Sequence, residues 1–255
     1  RDMRLSLSEA ERERLVINKL STRVRRLRFS KDYIGGAIDE LSFTTDKGFT
    51  LTSLTGQGEL QGSLLTLSNL QLSLPKSSLS IPIARLETQR KGLALLEELE
   101  LGDTQLTLSD LSILSPALKD RHEQATLQAT YCREGLDAGR ANFSLRLPRH
   151  IILEGGGRVT WDSTGEVTSI STDITDAEVS SAVVGLIRPH LPASSHPLIE
   201  RLSRLQSVRH AGKTKFVPGK SFSGKGYIAS AQGRWDYDLT GSLEGKSLRK
   251  LTGKA

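Results

Sequence analysis

The chain has 255 residues, of which 36% are hydrophobic, 5% aromatic and 25% charged. That length suits one large or two ordinary domains, and the ordinary charge content excludes a low-hydrophobicity disordered chain. No apolar run approaches the ~20 residues of a spanning helix, which excludes a membrane helix within these residues, and a lone cysteine, Cys132, excludes an internal disulfide.

The net charge of +6 is unevenly placed. Arg201, Arg204, Arg209, Lys213, Lys215, Lys220, Lys225 and Arg234 form a stretch free of Asp and Glu. Without these eight the chain has 27 basic against 29 acidic residues, so the stretch holds the whole excess. Such a surface attracts polyanions, whether anionic lipid, acidic protein or nucleic acid.

In chain order, residues 1–30 begin "RDMRLSLSEAERERL", without an initiating Met or a signal-peptide pattern, and read as part of a longer chain. Ser8 and Glu11 have capping-box spacing, whereas "STRVRRLRFS" alternates like a strand, so both helix and strand stand open here. Residues 31–109 read as repeated strands. "FTLTSLT", "GELQGSLLTLSNLQLSL" and "SSLSIP" alternate apolar with small polar residues, and turns are expected at Lys47-Gly48, at Gly56 to Gly58 and at Gly102-Asp103.

One phrase occurs twice. "LTLSNLQLSLP" begins at Leu65 and "LTLSDLSILSP" at Leu106. In the first, Leu65 and Leu67 share one parity, while Leu70, Leu72 and Leu74 have the other. A regular strand cannot hold all five on one side, and a bulge at Ser68-Asn69 would. The second phrase breaks step at Ser109-Asp110, where Asp110 suits the N-cap of a short helix over 110–124.

Residues 125–175 return to strands, with a turn expected at Gly155 to Gly157. A helical insertion is expected over 176–206. Thr175 and Glu178 have capping-box spacing, and Leu198, Ile199, Leu202 and Leu205 form one helical stripe. Residues 207–255 read as basic strands. Turn signals recur roughly every ten residues, which predicts a mostly β, elongated antiparallel sheet with a few short helices.

Such a sheet must cover its apolar face, and so few helices are not enough. It can close on itself as a sandwich or barrel, or curve into a groove filled by an apolar ligand. Leucine in place of Val or Ile suits a loosely packed lining.

The stretch "GFTLTSLTGQGELQGSLLTLSNLQLSLPKSSLSIP" (48–82), followed by "LTLSDLSILSPALK" (106–119), resembles the TamB branch of the AsmA-like proteins, notably its large Bacteroidetes-type members. The likeness is concentrated in residues 40–120. It implies a long periplasmic translocation and assembly module, attached to the inner membrane by a helix outside these residues. Its β-taco groove would carry phospholipid to the outer membrane, or support outer-membrane protein assembly and secretion beside a BamA-like barrel. The partners implied are phospholipid acyl chains and that barrel, reached through parts outside this chain. The other reading is a closed-core β scaffold or a module binding a partner protein or carbohydrate.

No enzyme site emerges: no catalytic residue, metal ligand set or cofactor is expected. His122, His150, His190, His196 and His210 form no ligand pair, Cys132 is expected to be a buried structural thiol, and "LEGKS" lacks the upstream glycine of a phosphate loop. Asp236 and Asp238 beside Trp235 and Tyr237 look like the outward side of a strand, or the lining of a sugar site. Nucleic acid is not expected as a partner. The groove lining is expected at Leu51, Leu65, Leu67, Leu70, Leu72, Leu74, Leu106 and Leu108. Lys213, Lys215 and Lys220 are the expected contacts for anionic headgroups.

Overall fold

The computed structural model describes residues 3–5, 15–46, 48–90, 92–112, 118–183, 200, 204, 206–244 and 247–254. The protein is mostly β, as its alternating pattern implies. Among the described residues, fifteen strands follow one another in chain order. Two compact units divide the chain: residues 1–90 with 95–128, and residues 91–94 with 129–255.

The first unit contains β1 (Met3–Leu5), β2 (Leu15–Ser30), β3 (Tyr33–Thr45), β4 (Thr50–Gln61), β5 (Leu64–Ser73), β6 (Ser78–Glu87) and β7 (Leu96–Thr107). Each pairs antiparallel with the next. β8 (Gln124–Arg133) begins in this unit and ends in the other. The second unit continues with β9 (Ala138–Leu147), β10 (Ile151–Trp161), β11 (Val167–Ser180), β12 (Ser207–Val217), β13 (Ser221–Ser230), β14 (Gly233–Glu244) and β15 (Ser247–Lys254), again antiparallel. Tight turns suffice because most strands meet their sequence neighbour directly.

The parity break in the first phrase is resolved by a bulge. Asn69 has φ 52°, and the β4–β5 register slips by one residue between Thr55 and Gln57. Leu67 then pairs with Gly58 and Leu72 with Leu54, which share a parity on β4. Toward β6 the register is constant, Ser68 with Ile83 and Leu70 with Ile81, so Asn69 stands opposite Pro82. A proline has no N–H to give the ladder and is tolerated at such an irregularity.

The turn after the first phrase meets the beginning of the second in a small polar knot. Asp110 accepts hydrogen bonds from Lys76 N–H at 2.8 Å and the Ser77 hydroxyl at 2.6 Å. Ser77 Oγ accepts from Thr107 N–H at 2.9 Å, and the Thr107 hydroxyl donates to Lys76 C=O at 2.7 Å. With Ser77 and Thr107 buried, this exchange satisfies backbone groups that water cannot reach. Asp110 therefore serves the neighbouring turn. It lies within a 3-10 turn, Leu108–Leu111, in place of the expected start of a helix over 110–124, and Gln124 already begins β8; residues 113–117 lie outside the described residues.

Of the two readings open for the first thirty residues, 15–30 are strand, and the Ser8–Glu11 box lies outside the described residues. Other expectations are corrected. Gly56, Gly58, Gly102 and Gly155 to Gly157 lie inside β4, β7 and β10 rather than in turns; the β4–β5 turn falls at Gly62, φ 59°. Thr175 to Ser180 are strand, not the beginning of a helix over 176–206. Thr175 belongs to a bulge and donates to Glu154 C=O at 3.1 Å. Glu178 pairs with Arg209 across β12 at 2.7 Å, which raises the Arg209 pKa. Ser181 to Val183 and Glu200 are helical, and the rest of 184–203 lies outside the described residues.

Candidate functional site

In the first unit the sheet has one aliphatic face. Leu65 stands between Leu60 and Leu86, Leu67 between Gly58 and Ala84, and Leu72 between Leu54 and Leu79. Leu70 faces Ile81, and Leu96 and Leu99 extend the stripe opposite Leu86 and Ala84. On the other face Gln71 bonds Ser80 Oγ at 2.9 Å, and Arg85 pairs with Glu98 at 2.7 Å.

The eight expected lining leucines divide by depth. Leu51 and Leu74 are buried. Leu65, Leu67, Leu70 and Leu72 are half-buried on β5, and Leu106 and Leu108 are half-buried at the end of β7 and in the 3-10 turn. The β5 stripe is thus accessible along its length, while Leu51 and Leu74 are packed within the unit.

The second unit shows the same separation more sharply. Its register sets Phe143, Leu145, Leu153, Val159, Ile170, Ile174 and Phe216 on one face, of which Ile170 and Phe216 are exposed, at 39% and 41%. Trp161 and Leu147 anchor this side at 3% exposure each. His210 and Tyr237 stack across it with ring centroids 5.9 Å apart, and burial raises the Tyr237 pKa.

Lys213 and Lys215 lie on the opposite face. Lys213 pairs in register with Asp173 and Lys225, and Lys215 with Ser171 and Ser223. They line a depression of about 830 Å³ with Arg140, Arg158, Lys225 and Asp173. Ion pairs lace it: Lys213 to Asp173 at 2.9 Å, Lys225 to Asp238 at 3.4 Å, and Arg140 and Arg158 both to Glu134 at 2.7 and 2.9 Å. Lys213 and Lys215, the expected headgroup contacts, thus stand across the sheet from this unit's apolar face. A chain lying on the apolar face of this unit has the whole sheet between it and those ammonium groups. Lys220, in the exposed turn between β12 and β13, sits at a strand end instead.

The remaining candidates separate as well. Asp236 and Asp238 pair with Arg234 and Lys225 on the polar face, while Trp235 and Tyr237 point the other way. These two carboxylates and these two rings therefore stand on opposite faces. Cys132 is exposed, not buried. His150 contacts Ser180 Oγ at 3.3 Å and His122 contacts Lys76 Nζ at 3.4 Å; His190, His196 and Lys246 lie outside the described residues. Sequence reasoning missed Arg140 and Arg158, which β9 and β10 bring beside Lys215; only cross-strand register places them together. Compared with known family models, curated proteins and solved structures, the chain matches none.

Proposed function

We propose that this chain is a non-enzymatic lipid-handling protein whose leucine-faced sheet holds acyl chains. In this reading it is one section of a TamB-like periplasmic bridge between inner and outer membrane, with the anchor and the barrel contact in parts outside these residues. The observation that supports it is the half-buried stripe of Leu65, Leu67, Leu70 and Leu72 with its aliphatic cross-strand neighbours. Alkyl surface covered there leaves water at about 0.8 kcal/mol per methylene, without directional contacts. A face built from leucine and lacking polar anchors suits chains that differ in length and saturation.

Titration with a fluorescent fatty acid, followed by displacement with unlabelled phospholipid, tests the reading. Saturable, displaceable binding is expected, and Leu67→Asp with Leu72→Asp should weaken it at least about ten-fold, since two lining side chains lose their apolar contact. No saturable binding, or equal binding by the double variant, would overturn it.

A further inference from the structure

The β2–β3 hairpin concentrates two surface features. Leu20, Val24, Leu27, Phe29 and Ile34 are all exposed, Phe29 at 70% and Leu27 at 56%. They share one face: Val24 pairs with Ile38 and Phe29 with Ile34, two positions of equal parity on β3. A Cβ on Gly36 would meet Leu27 Cδ2 at 3.0 Å and Val24 Cγ1 at 3.7 Å, which places both side chains over the same glycine. The step from Val24 to Leu27 needs one extra residue. Arg26 supplies it, with φ 56° and a register shift between Arg25 and Arg28.

The second feature is charge. Residues 19–34 carry Lys19, Arg23, Arg25, Arg26, Arg28 and Lys31 against a single acid, Asp32. All six cations are exposed. Among the described residues, only Arg25 of these forms an ion pair, with Asp39.

Cations along a strand discourage unwanted strand addition, but that role gives no reason for Leu27 and Phe29 to stand in water. A polyanion site would use the arginines and leave the same side chains unexplained. A surface that offers phosphates above a hydrocarbon layer uses both. We infer that the β2–β3 hairpin is a contact site for an anionic phospholipid bilayer. Leu27 and Phe29 enter the headgroup region from one face of the hairpin, while Lys31 at its tip and Arg26 in the bulge meet lipid phosphates; Arg28, opposite Gly35, lies on the other face. The inference deepens the lipid-handling reading and rests on it for its purpose, since a groove for acyl chains needs a bilayer from which to load or into which to discharge.

Co-sedimentation of the chain with phosphatidylglycerol–phosphatidylcholine vesicles, against pure phosphatidylcholine vesicles, is the test. Binding to the anionic vesicles alone is expected. Each cation near such a surface is worth a factor of about five, so R26Q/K31Q should weaken binding about twenty-five-fold. L27S/F29S should weaken it about ten-fold or more. All these side chains are exposed, and an unchanged far-ultraviolet spectrum confirms folding. Failure of the parent to bind anionic vesicles overturns the inference. So does full binding by L27S/F29S, which would make the hairpin a simple polyanion site of the kind that takes nucleic acid. Uptake of monomeric fluorescent fatty acid separates the two claims: R26Q/K31Q should retain it, being charge changes outside the aliphatic row Phe29–Ile34–Leu60–Leu65, whereas vesicle binding without any uptake would sink the groove and leave the hairpin standing.

Discussion

Replacing Gly56 by alanine should destabilise the first unit by about 3 kcal/mol, read as a lower denaturant midpoint at unchanged slope. Gly56 has φ 151°, a region that side chains rarely adopt. A Cβ there would stand 3.0 Å from Leu70 Cα and 3.2 Å from Asn69 C=O, both backbone atoms held by the bulge. Its nearer contact, Leu70 Cδ2, can swing away; the backbone cannot. Gly58 is the control, because its Cβ would meet only Leu67 Cδ2 at an ordinary 3.4 Å. Gly58→Ala should stay within about 1 kcal/mol. Equal costs at the two positions would mean that the bulge does not hold β5 in register.

Trp161→Ala should cost the second unit about 3–5 kcal/mol, the range for emptying a buried indole site. Trp161 is 3% exposed at the end of β10, and its Nε1–H donates to Leu136 C=O at 3.1 Å. The same turn is held by Trp161 N–H donating to Asp137 C=O at 2.9 Å. Trp161→Phe keeps most of the apolar volume and loses only the indole donor to Leu136 C=O, so about 1 kcal/mol is expected. A loss as small for alanine as for phenylalanine would show that this end of the unit can collapse around the missing ring.

The parity of leucine made the β5 bulge legible, because five leucines in two phases leave only a bulge or a lost face. Arg26 has the same signature, with Val24 and Leu27 out of step in a strand-like run, but the surrounding arginines hide it. Thr175 and Glu178 misled because a spacing of three serves a helix cap and a bulged strand alike; the deciding partners, Glu154 and Arg209, lie far away in sequence. Glycine misled in a related way. Gly156 sits mid-strand because a Cβ there would come 2.6 Å from Asn142 Oδ1 and 2.9 Å from Ala141 C=O, a crowding that exists only once β9 and β10 are paired. The opposite facing of Lys215 and Phe216 was already written in their adjacency. Depth along the leucine stripe was not legible: Leu51 and Leu72 look alike in sequence, yet only one is buried.

Oily cargo touching one side of β5 is the claim on which the lipid reading depends. A photoreactive residue placed singly at each position from 65 to 73, with acyl adducts read by mass spectrometry after exposure to phospholipid, tests it most directly. Adducts are expected at 65, 67, 70 and 72, with the period-two rhythm skipping a beat at Asn69, and none at 66, 71 and 73. Adducts of equal yield at every position, or none anywhere along the strand, would contradict it.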